Sequence, residues 1–188
     1  MIILRQKQFG WFGFGKKKQP EQKSPEYKCP SISDLPSNLQ QSLRGVERVW
    51  KKPETQKLLK ELQEVLHTEV IPFTPYVDTK TVDYIFTNLL HWSLASEDFP
   101  ESTLMYPIMW DLQGDWLLCY EITTDHFWTI DDNDCNFYDD TKQFKNLREF
   151  MKDEIDWFLK GFDPDYGYKL SRNEFEDLFK KIKKAFWI

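Results

Sequence analysis

The sequence predicts an α+β fold, and three observations predict it. Apolar residues recur at helical spacing in the first half, alternate over a central stretch, and return to helical spacing at the end. Helices, then contiguous strands, then helices is the order of a sheet with helices segregated from it. The expected architecture is a small antiparallel β-meander of three to four strands packed by about four helices. A disordered basic tail over residues 1–41 is expected to precede a single domain over 42–188.

The tail expectation rests on "FGWFGFGKKKQPEQKSPEYKCPSISDLPS", which mixes Gly, Pro, Ser and Lys without apolar periodicity. Up to Lys28 it holds seven basic and two acidic residues. Arg5 and Lys7 follow a four-residue apolar start, too short for the apolar region of a signal peptide. No apolar run approaches the ~20 residues of a membrane-spanning helix. Three cysteines without a CxxC pair fit reduced thiols better than a disulfide framework. A cytoplasmic location is therefore expected.

The first clear helical stretch is "VERVWKKPETQKLLKELQEVLHTEV". Pro53 suits a first helical turn, and Leu58, Leu59, Leu62, Val65 and Leu66 share a face. A second helix is expected in "VDTKTVDYIFTNLLHWSLA", capped at Asp78 or Thr79. The period then changes to two. Trp116, Leu118, Tyr120 and Ile122 alternate, as do His126, Trp128 and Ile130, with turn residues at "LQGD" and "TTD". A further short strand is placed around Phe137. Helices over about 141–161 and 172–186 complete the chain.

Charge is distributed unevenly. Residues 81–141 contain no Lys or Arg and thirteen acidic residues, a net charge of −13, which leaves +7 on the remainder. Crowded like charge costs stability, so a recognition role is the reading that explains it. The expected partner is a basic protein, since complementary charge speeds encounter and excludes wrong partners. The residues assigned to that surface are Asp111, Asp115, Asp125, Asp131, Asp132, Asp134, Asp139 and Asp140, with Trp128 as an aromatic contact. By analogy of charge alone this suggests an inhibitor or immunity-type neutraliser of a basic toxin or nuclease. Direct nucleic-acid binding by this segment is excluded by its want of phosphate-pairing cations.

A local motif offers an alternative. "FDPDYGYKLSRNEFEDLF" places Asp163, Asp165, Ser171 and Glu174 at the first, third, ninth and twelfth places of a loop, with Leu170 at the eighth. Apolar stripes flank it: Ile155, Phe158, Leu159 and Phe162 before, Phe175, Leu178, Phe179 and Ile182 after. Over residues 155–182 this resembles the EF-hand family. The resemblance implies calcium bound by Asp163, Asp165, Ser171 and Glu174, and a calcium-responsive regulatory module. Two positions depart from the pattern: Gly167 stands fifth, without a ligand oxygen, and Tyr168 stands sixth, where the loop wants Gly. "SRNE" is also a capping box, so a capped helical hairpin accounts for the same residues.

Nothing in the sequence spells out a reaction. Three histidines (His67, His91, His126) and Cys119 show no spacing of a nucleophile–base or metal set. "GWFGFG" lacks the preceding strand of a dinucleotide-binding turn. A non-catalytic binding protein is expected.

Overall fold

The structure, a computed structural model, describes residues 31–77, 80, 82, 105–122, 124–131, 137–139 and 144–188. Among these, four α-helices and a four-stranded antiparallel sheet make the α+β fold that the periodicities predict. The helices are α1 (Ser37–Trp50), α2 (Pro53–Leu66), α3 (Leu147–Lys160) and α4 (Arg172–Phe186). The strands are β1 (Met105–Trp110), β2 (Trp116–Glu121), β3 (His126–Asp131) and β4 (Phe137–Asp139), paired in chain order as a meander. The helix expected from Asp78 lies outside the described residues apart from Lys80 and Val82, both helical, with Val82 buried.

The folded part begins before residue 42, which corrects the expected tail boundary. A 3₁₀ turn over Ile32–Asp34 leads into α1, and Leu35, Leu39, Leu43, Val46 and Val49 are all buried. Pro36 and the polar "SNLQQS" hid that helix, because its apolar residues are spaced sparsely along one stripe. α2 starts as expected, with Pro53 in its first turn, where a missing N–H costs nothing. It ends at His67, whose left-handed backbone (φ 57°) closes the helix. The Asn146 side chain accepts from the Arg148 and Glu149 amides to cap α3.

β2 departs from simple alternation. Leu117 through Glu121 are buried without a break, so the central strand is covered on both faces. Part of the cover at the sheet margin is the segment after α2. Tyr76 donates its amide to the Ile108 carbonyl, Trp110 donates to Thr74, and Pro75 bridges Met109 along the outer edge of β1. The β1–β2 register slips between Pro107 and Met109, where proline cannot complete a ladder. Rings carry the sheet into the helices: Tyr120, Phe127, Phe144 and Phe150 contact in sequence at centroid distances of 5.2, 6.0 and 5.4 Å. No described helix is long and apolar enough to cross a membrane.

Candidate partner-binding site

The meander sorts the predicted acidic surface between two ends. Trp110 pairs with Leu117, and Trp116 with Asp131, so the β1–β2 turn, the end of β3 and the start of β4 share one end of the sheet. Asp111, Asp115 and Asp131 belong to that end. Asp125 sits in the β2–β3 turn at the other, and Asp139 stands opposite Trp128 within the sheet. Asp132, Asp134 and Asp140 lie outside the described residues.

Three of the assigned residues are bonded into the fold. Asp111 is only 5% exposed, which corrects its assignment to the surface. Its carboxylate accepts from the Gly114 amide at 2.6 Å and the Trp116 amide at 3.4 Å, pinning the turn. Burial pushes its pKa up to about 6 despite those amides, and the Asp115 charge adds to the rise. Trp128 is half-buried against the core, with its indole N–H donated at 3.0 Å to the buried carboxylate of Glu121. A ring held that way has its polar edge committed inward. Asp125, exposed at φ 58°, accepts from the Tyr120 hydroxyl. Burial, then that contact, pushes the Tyr120 phenol up from its ordinary range.

Asp115 is different: it is exposed and opens onto a groove of about 520 Å³. His67 and Glu69 after α2, Trp110 of β1, Asp115 of the turn, and Tyr166 and Tyr168 between α3 and α4 line it. The elements meet closely because Gly114 (φ 78°) carries no side chain. A Cβ there would stand 3.4 Å from Thr68 Cβ and 3.5 Å from Val70 Cβ. Gln63 donates its side-chain amide to the Glu69 carbonyl, and the Thr68 hydroxyl donates to the Val70 carbonyl, which fixes that wall.

The opposite wall is the loop singled out by the EF-hand resemblance. Asp163 accepts from the Asp165 amide at 2.9 Å, and Pro164–Tyr166 forms a 3₁₀ turn. Gly167 takes the left-handed conformation (φ 87°), one place before the glycine of an EF-hand loop. Glu174 accepts from the Ser171 amide at 2.8 Å and its hydroxyl at 2.7 Å, completing the capping box. Those bonds hold the Glu174 carboxyl below its ordinary pKa. Among the described residues no three His, Cys, Asp or Glu side chains gather as a metal-holding group, so Asp163, Asp165 and Glu174 are not brought together. Aromatic packing closes the hairpin. Tyr168 stacks on Phe162 at 5.8 Å and meets Phe158 and Phe175 at 5.5 and 5.4 Å. Tyr166 leans on Tyr168 at 5.0 Å and is 74% exposed.

Among the described residues the groove thus has two acidic groups on its walls, no Lys or Arg in its lining, and an exposed tyrosine backed by a fixed aromatic stack. Glu69, Trp110, Tyr166 and Tyr168 escape a sequence reading of the site because they come from three separated segments. His126 is exposed at the start of β3, and His91 lies outside the described residues. Cys119 is fully buried, with its thiol pushed upward by burial, which opposes use as a nucleophile. No protein-family model, curated protein or solved structure matches the chain, so the groove's own chemistry carries the functional reading.

Proposed function

We propose that the protein is a non-catalytic binding protein of the cytoplasm that engages a basic protein partner, as an inhibitor or immunity-type neutraliser, through this acidic end of the sheet. The observation that carries the reading is the groove itself: Glu69 and Asp115 flank an exposed, preorganised Tyr166. Tyrosine on a rigid support offers contact area at small entropic cost, the character of an interface anchor. Acidic groups at the rim would steer a cationic surface toward it.

The test begins with capture of the partner from the native cell. Association kinetics then compare the parent chain with Glu69→Lys/Asp115→Lys and with Tyr166→Ala. The charge reversals should slow association, with the loss shrinking as salt rises. Tyr166→Ala should instead speed dissociation. A captured partner that is not basic, or kinetics indifferent to salt and to all three substitutions, overturns the reading.

A further inference from the structure

A second groove, of about 760 Å³, runs between α1 and the start of α3, and its electrostatics are the reverse of the first. Arg44 and Arg48 line it from one side, Lys145 and Arg148 from the other. None of the four is in a salt bridge with a carboxylate among the described residues. Glu47 pairs with Lys51, and Glu149 turns back to accept the Lys145 amide at 2.8 Å. The Arg148 guanidinium lies over the Trp187 ring, 5.2 Å from its centroid. Four cations line one groove with no ion pair of their own among the described residues, and an anion would offset their mutual repulsion.

Gly45 gives an independent observation. It sits inside α1, where glycine costs roughly 1 kcal/mol relative to alanine. Packing does not demand it, since a Cβ there would meet nothing within 4 Å. The residue lines the groove, and its bare backbone keeps the α1 wall clear between the two arginines. A smaller recess of about 280 Å³ adjoins, sharing Asn38, Ser42, Lys145 and Asn146. Its walls include Tyr120, Phe127 and Phe144, together with the Asp125 carboxylate that accepts from the Tyr120 hydroxyl. The α3 amides nearest the groove are already held by Asn146, so an anion would be met by side chains.

We infer that this groove binds a phosphorylated small molecule, its phosphates paired by Arg44, Arg48, Lys145 and Arg148 and its ring seated in the aromatic recess. Guanidinium forks match phosphate oxygens in pairs, and the groove's volume is in the range of small-ligand sites. The site is separate from the acidic groove and does not depend on the proposed partner.

Calorimetric titration with adenosine diphosphate and with inorganic pyrophosphate tests it on the full chain. Both should bind, the diphosphate nucleotide more tightly because it also fills the recess. Arg44→Glu/Arg48→Glu should raise Kd by about tenfold or more, since two charge-assisted contacts become repulsive. Gly45→Glu should also abolish binding while leaving the fold intact, because glutamate favours a helix interior. The control Lys57→Glu/Lys60→Glu makes the same charge change on α2 and should leave Kd within about twofold, as screening separates distant exposed charges. Failure of both probes to bind, an equal loss in the control, or binding untouched by Gly45→Glu overturns the inference. So does a single-stranded oligonucleotide that binds more tightly with each added length, which would mark a polymer track instead.

Discussion

Asp111 is ionised at neutral pH against the preference of its surroundings. The Gly114 and Trp116 amides offset part of the desolvation, yet the carboxyl still titrates near 6 in the fold against 3.8 in a free chain. Between those two values the folded state binds the extra proton, so stability falls as pH rises from about 4 to 6 and is flat above. The difference between the two values corresponds to about 3 kcal/mol over that window. Asp111→Asn keeps an oxygen for the Gly114 amide and removes the titration. Its unfolding free energy, measured by denaturant at several pH values, should lack this falling component. Parallel profiles for the two proteins would show that Asp111 is not desolvated. The residue also illustrates what sequence conceals: thirteen acids in one segment look alike on paper. Here one holds a turn, Glu121 is buried on an indole, and Asp115 faces solvent.

The C-terminal hairpin shows which elements are readable locally. Its helices, its apolar stripes and the Ser171–Glu174 box all follow from residues within a few places of one another. The loop's geometry was harder to read, because the same acids serve a calcium loop and a capped turn. The bonds decide their placement: Asp163 holds the Asp165 amide, and Glu174 holds Ser171. Two expectations belong to this element. Millimolar calcium should leave the melting temperature unchanged; a rise removed by Glu174→Gln would return the loop to the calcium reading. Gly167→Ala should destabilise the fold by roughly 1–2 kcal/mol through backbone strain alone, since no atom lies within 4 Å of the added Cβ. A neutral result in chemical denaturation would mean that the turn relaxes.

At the scale of the whole molecule, local periodicity announced the order of helices and strands, whereas the extent of the core depended on contacts between distant segments. β2 reads as alternating, yet Leu117, Cys119 and Glu121 are buried along with Leu118 and Tyr120. Covering both faces needs partners that no single strand reveals. The start of the fold shows the same limit. Leu35 and Leu39 stand in a Pro- and Ser-rich stretch that reads as a tail, but they are 3% and 6% exposed in the shared core. α1 packs against α2, α3 and α4, so its first turns contribute to the contacts that hold the helices together. Leu39→Ala is expected to cost about 2–5 kcal/mol, in the range for buried leucines. Deleting residues 1–40 removes both leucines and the first turn of α1 together. At about 2–4 °C for each kcal/mol in a domain of this size, the melting temperature should fall by on the order of 10 °C or more. A deletion that melts with the full chain would place the boundary of the fold after residue 40 and show these leucines to be dispensable.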